Sequence, residues 1–311
     1  MKKVLLDFDI GTEIDDAIAL AYLLANPECE LVGITTSCGE SIKRAEMASV
    51  LCRAAGKKVP IHAGCERPLL IPQMETTAPQ AAILPHYEHD TGFAPNTAIP
   101  FMQKVIRENP GEVTLLAVAP MTNLGLLFAM DPELPELLDG LYLLCGSPTH
   151  QRHDVVTESL SAMERDDFIR VLASQGILEN NSIVDPHATS IVYRARCRNF
   201  VNIGNNVSSR VVMTPEEAER RFRHPIMQVV MSIAREWFKD EPRVSFHDPL
   251  AAVCIFNDDV CSYKRGYMDC VLDSRLLGGM TIFREDPAGP HQVAWDVDGG
   301  KFFEHLFEVF A

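Results

Sequence analysis

The feature that most constrains the fold of this 311-residue chain is its opening rhythm, in which short apolar runs alternate with stretches of helical periodicity. VLLDFD is followed by IDDAIALAYLLANP, then ELVGITT, SIKRAEMASVLCRAAG and VPIHAG, an order that predicts β-α-β-α-β. VTLLAVAP, TNLGLLFAM and GLYLLCG continue the alternation. Strands that are apolar almost throughout, separated by helices, belong to a parallel sheet covered on both faces. The expectation is therefore one α/β domain over residues 1–311, doubly wound around a mostly parallel sheet, with a helical insertion. That insertion is read at 147–176, where the chain turns charged and ESLSAMERDDFIRVLASQG is patterned like a peripheral amphipathic helix. Ile71 to Pro100 is rich in Pro, Thr and His without periodicity and reads as a long surface loop, either covering a site or idle. HPIMQVVMSIAREWF carries an apolar stripe suited to a core or a subunit interface.

Composition narrows the function classes. With 28 Lys and Arg against 43 Asp and Glu, the net charge of −15 repels phosphate backbones and argues against nucleic acid as a partner. The start, MKKVLLDFD, turns acidic at Asp7 before any long apolar run, and no stretch has the length to cross a bilayer, so neither a membrane span nor a removable signal is expected. Nine cysteines, none spaced as CxxC and most within apolar segments, fit reduced thiols in a cytoplasmic protein.

The chemistry concentrates in LLDFDIGTEIDDAIAL. Side chains alternate along a strand, so Asp7 and Asp9 are expected on one face at its carboxyl end, where ligand sites gather in open α/β sheets. Gly11 permits a sharp turn, and Asp15 and Asp16 open the next helix about 100° apart around its axis. Helix capping or a dipole interaction accounts for such a pair taken alone. Four aspartates converging on one strand end repel one another unless protons or a cation intervene, and hard divalent ions take such oxygens. Calcium accepts six to eight irregular oxygen ligands and magnesium demands near-octahedral order, and these residues alone do not choose between them. Downstream, His247 and Asp248 precede Pro249 and an apolar run, so Asp248 is equally a candidate helix cap. VAPMTNLGLL follows a strand, and ILENNSIVDPHA sets a carboxylate and two amides ahead of an Asp-Pro.

Together these strings resemble the inosine-uridine preferring nucleoside hydrolase family, whose pattern runs DxDPGxDDAxAL, ITTxxGN, a PLTN-type loop, ExNxxxDP and HDP. The resemblance extends over nearly the whole chain. It implies metal ligands at Asp9, Asp16, Asp248 and the backbone carbonyl of Val118, and ribose-binding groups at Asp15, Glu40, Glu179 and Asn181. Asp7 becomes support behind the ligands, and His247 a candidate proton donor to the leaving base. Asp9 would deprotonate a calcium-bound water that attacks the anomeric carbon, releasing ribose and free base from a small-molecule nucleoside in purine or pyrimidine salvage. The family also implies a homodimer or homotetramer. Three positions depart from the pattern: Ile10 replaces the proline, two extra residues lengthen the turn to IGTEIDD, and Glu40 replaces the asparagine of ITTxxGN. The HGxxG-type loop is only loosely matched by HYEHDTG.

Two other readings compete. VLLDFDIGT also resembles the DxDx[TV] strand end of haloacid dehalogenase-type phosphatases, with Asp7 as nucleophile, although Gly11 stands where Thr or Val is wanted. A relative that binds nucleoside or ribose without cleaving it would keep the same acidic cluster.

Overall fold

The computed structural model describes residues 1–148, 177–239 and 241–311. A nine-stranded sheet runs through it in the order β10-β9-β11-β6-β5-β4-β1-β2-β3. β1 (Lys2–Phe8), β2 (Cys29–Thr36), β3 (Ile61–Ala63), β4 (Val113–Ala117), β5 (Gly140–Leu144), β6 (Phe200–Ile203) and β11 (His291–Val297) pair in parallel. β9 (Cys261–Cys270) pairs antiparallel with β11 and with β10 (Thr281–Glu285), closing one edge, while β7 (Val212–Met213) and β8 (Val244–Ser245) form a separate antiparallel pair. The mostly parallel, doubly wound α/β fold read from the sequence is what forms.

β1 shows how the strand sequence produces two layers. Val4, Leu6 and Phe8 join the larger core on one face, and Leu5 joins the second core on the other with Leu115 and Ala117 of β4. α1 (Asp15–Ala25) and α2 (Ser41–Ala54) cover the first face; α3 (Ala98–Glu108) and α4 (Thr122–Met130) cover the second. The later helix Pro225–Trp237 buries Ile226, Met227, Val230, Met231, Ile233 and Ala234, which assigns its apolar stripe to the core. Among the described residues no helix is long and apolar enough to cross a membrane.

The chain leaves β1 toward β2 and β3 on one side and returns through β4, β5 and β6 on the other. The carboxyl ends of β1 and β4 therefore flank a topological switch point, where an open α/β sheet leaves a crevice.

Two expectations need amendment. Ile71 to Pro100 is not loop throughout: a 3-10 helix runs Pro79–His86, with Ile83 and Leu84 buried against the main core, and α3 begins at Ala98. One apolar run of four residues, Ala81 to Leu84, between prolines is too short to register as periodic. The expected insertion lies, beyond Pro148, outside the described residues.

Candidate active site

A cavity opens at the switch point. Its walls come from the carboxyl ends of four parallel strands: Asp9 and Glu13 after β1, Val118 after β4, Leu144 at the end of β5, and Asn205 after β6. Glu179, Asn180, Asn181, His247 and Asp248 complete it together with Asp15, Asp16, Thr12 and Glu75.

The amino-terminal wall is fixed by a buried cation. Arg44 of α2 is fully buried and donates to the carbonyls of Asp9, Ile10 (3.1 Å) and Gly39 (2.8 Å), to Thr12 Oγ1 (3.1 Å) and to the carbonyl of Thr77 (3.2 Å). One guanidinium thereby sets the path of the turn that carries Asp9. The Asp9 backbone N–H donates to Asp16 Oδ1 (3.2 Å), tying strand end to helix start. Ile14 precedes α1 without a side-chain cap, so Asp15 and Asp16 are not serving as its N-cap. They point into the crevice, where Asp15 Oδ2 accepts from the Asp248 N–H (3.2 Å).

The opposite wall is built on two short helices. The Glu179 carboxylate caps Asn180–Val184, accepting from the N–H groups of Asn181 (2.8 Å), Ser182 (3.0 Å) and Gly146 (2.7 Å). Asn181 Nδ2 donates to the carbonyls of Val118 (2.8 Å) and Leu144 (3.0 Å). A carbonyl oxygen has a second lone pair, so Val118 keeps an acceptor for the cavity. His247 and Asp248 open the helix His247–Cys254, and Asp248 lies in its first turn without capping it. His247 Nδ1 sits 2.7 Å from Ser208 Oγ.

The electrostatics call for positive charge. Oxygens of Asp15, Asp16 and Asp248 lie within 4.8 Å of one another, a spacing at which each ionised pair repels by on the order of 3 kcal/mol even at an effective dielectric of about 20. Burial, reinforced by these neighbours, holds Asp16 and Asp248 well above the usual carboxylate range, and burial also raises Asp15. Burial pushes Asp9 up to about 8, with Arg44 pulling the other way and Glu75 adding to the rise. The Asp9 and Asp248 side chains, 7% and 3% exposed, accept no hydrogen bond from any described group. Buried carboxylates left without donors, beside a carbonyl with a spare lone pair, fit a hard divalent cation. Two helix amino termini, those of α1 and His247–Cys254, add their positive dipole ends to the same place.

Of the residues singled out in the sequence, the cavity brings together Asp9, Asp15, Asp16, Val118, Glu179, Asn181, His247 and Asp248. Glu40 does not line this cavity. It adopts a left-handed backbone (φ 59°) ahead of α2, and its carboxylate bonds Lys43 Nζ (2.5 Å) and the Ala78 N–H (2.9 Å) outside the cavity. Through the Ala78 contact it ties the start of α2 to the 73–80 segment. Asp7 also stays out of the cavity. Fully buried, it accepts from Thr35 Oγ1 (2.6 Å) and Asn123 Nδ2 (2.8 Å), and burial pushes it up to about 7. A carboxyl so enclosed is not placed as the nucleophile the phosphatase reading requires.

Arg44, Glu13, Glu75 and Asn205 went unread. Arg44 did leave a signal: it shares a helical stripe with Met47, Ala48 and Leu51, where an unpaired charge has no place. Glu75 belongs to the segment without periodicity and left none.

Residues 4–304 match the family model described as inosine-uridine preferring nucleoside hydrolase. An inosine-uridine preferring nucleoside hydrolase of Crithidia fasciculata is 26% identical, covering 97% of this chain and 95% of its own. Uridine nucleosidase 1 of Arabidopsis thaliana is 24% identical, covering 98% and 92%. Among solved structures, an inosine-uridine preferring nucleoside hydrolase from Bacillus anthracis superposes with a TM-score of 0.78 at 19% identity, over 99% of each chain. With the model matched almost from end to end and the fold shared, the chain belongs to the inosine-uridine preferring nucleoside hydrolase family.

Proposed function

We propose that this protein hydrolyses the N-glycosidic bond of a ribonucleoside to ribose and free base in the cavity at the switch point. The observation that carries the reading is the cluster of Asp15, Asp16 and Asp248 oxygens within 4.8 Å beside an Asp9 carboxylate that has no hydrogen-bond donor. Asp9, Asp16, Asp248 and the Val118 carbonyl would hold a calcium ion, whose chemistry is to make a water acidic enough to act near neutral pH. Asp9 accepts the proton of the attacking water. Asp15 and Asn181 bind ribose hydroxyls, and Glu179, already bonded to three backbone N–H groups, keeps Asn181 oriented while adding negative charge near the sugar. Bond breaking develops positive charge on the ribose ring, which these carboxylates stabilise.

His247 supports the leaving base. Burial lowers its pKa, with Asp15 opposing, so the neutral imidazole prevails at neutral pH. The Ser208 hydroxyl has one proton to donate, to the Gly204 carbonyl (3.1 Å) or to His247 Nδ1. Donation to Nδ1 leaves the imidazole proton on Nε2 for the base. Incubation with inosine, uridine, adenosine and cytidine, with separate quantification of ribose and base, tests the reading. Equimolar ribose and base from at least one nucleoside is the expected outcome, and intact nucleosides throughout, with the metal-loaded protein folded, would overturn it.

A further inference from the structure

Resting on that reading, we propose that Glu75, aided by Glu13, selects an N-riboside whose base carries a permanent positive charge, such as a pyridinium riboside. Seven carboxylates line the cavity, and among the described residues no lysine or arginine does. Five of them are accounted for by cation and ribose: Asp9, Asp15, Asp16, Glu179 and Asp248. Glu13 and Glu75 are surplus. One comes from the lengthened turn and the other from a loop with no counterpart in the motifs, so both distinguish this chain's cavity from the pattern it otherwise follows.

Glu75 is held in position. Its Oε1 accepts from Asn180 Nδ2 (2.6 Å) across the mouth of the cavity, and its Oε2 lies 3.6 Å from Cys38 Sγ. Gly39 N–H donates to the Glu75 carbonyl (3.2 Å), and a Cβ on Gly39 would come within 2.5 Å of the backbone of Glu75 and Thr76. The carboxylate is thus clamped on the Asp9 side of the cavity, where Asp9, Cys38 and Glu75 ligand atoms lie within 4.8 Å. Arg44 sits behind Asp9 and spends its donors on backbone carbonyls and a hydroxyl. Even with the positive charges of Arg44 and one divalent cation, the seven carboxylates leave the cavity with excess negative charge, and Glu13 and Glu75, which cation and ribose do not engage, carry it. A cationic base meets that field favourably, whereas a neutral base must tolerate it.

The chemistry balances. Water adds its oxygen to the anomeric carbon as the C–N bond breaks. The bond's electron pair passes to the ring nitrogen and cancels its charge, the base leaves neutral, and the water's proton goes to solvent by way of Asp9. No proton has to be delivered to the leaving group.

The test compares nicotinamide riboside with uridine in the wild type, Glu75→Gln and Glu13→Gln, by kcat/KM and by calorimetric binding. The amide of Glu75→Gln keeps the size and a hydrogen-bonding oxygen while removing the charge. The proposal predicts a wild-type preference for the charged riboside that falls about tenfold or more in Glu75→Gln and less in Glu13→Gln. An unchanged preference would overturn it. So would loss of one bound cation per chain in Glu75→Gln, measured by elemental analysis, which would make Glu75 a ligand of a second metal. Calorimetry reads the preference even if no ribose is released, so failure of hydrolysis and failure of charge selection are separate results.

Discussion

The two sides of the cavity are held by different means. On one, Asp15, Asp16 and Asp248 stand in the first turns of two helices and Val118 follows a central strand, so their positions come from the sheet and its covering helices. On the other, Thr12, Glu13 and Glu75 ride on a turn and a loop stitched together by single contacts: Arg44 to Thr12 and Thr77, Glu40 to Ala78, and the Gln80 N–H to the Gly11 carbonyl (2.9 Å). Scaffold positions fix the reaction a family shares, while loop positions are free to differ in what they admit. The difference teaches that the first wall should respond to mutation by losing the cation and the second by losing substrate.

The largest effects belong to the first wall. Asp16→Asn and Asp248→Asn should each weaken calcium binding by on the order of a hundredfold or more, read by calorimetry. Turnover at subsaturating calcium should fall with them. Normal calcium affinity in either variant would break the comparison at its root.

Next comes Gly39→Ala. The added methyl meets backbone and not a yielding side chain, so the Glu75 segment must move. KM should rise about tenfold with calcium affinity unchanged. Glu40→Ala is milder, since it removes one hydrogen bond to Ala78 and a half-exposed contact with Lys43. A KM increase of about three- to fivefold is expected, measured by initial rates. If either substitution cost calcium affinity instead, the two walls would not be separate devices.

The smallest effect concerns Asp7, behind both walls. Its folded pKa of about 7 lies above the ordinary aspartate value of 3.8, so between these values the folded chain holds a proton that the unfolded chain has released. Stability from this group is full below about pH 4 and declines as pH rises toward 7. Asp7→Asn keeps an oxygen for Thr35 and Asn123, and its Tm, followed in chelator by circular dichroism, should fall less between pH 5 and 8 than that of the wild type. Parallel Tm curves would show that Asp7 does not carry the raised pKa.

Legibility from sequence followed the same division. Asp9, Asp15, Asp16 and Asp248 could be read because strand ends and helix starts leave local patterns, and four carboxylates near one strand end require a reason. The parallel sheet could be read because β1, β2, β4 and β5 are apolar runs between helical ones. The antiparallel edge could not: CSYKRGYMDC is polar on one face and glycine-interrupted, and its partner β11 is distant in sequence. Where the Glu40 side chain goes could not be read, because its backbone turns left-handed and directs the carboxylate to Ala78. Glu75 was invisible because only tertiary contacts with Gly39 and Asn180 bring it to the cavity.

The most direct test is release of ribose from inosine and uridine by the wild type and Asp9→Ala, each with calcium and with chelator. The account predicts calcium-dependent release that falls about a thousandfold or more in Asp9→Ala while the variant stays folded. Full turnover by Asp9→Ala, or release that persists undiminished in chelator, would contradict it.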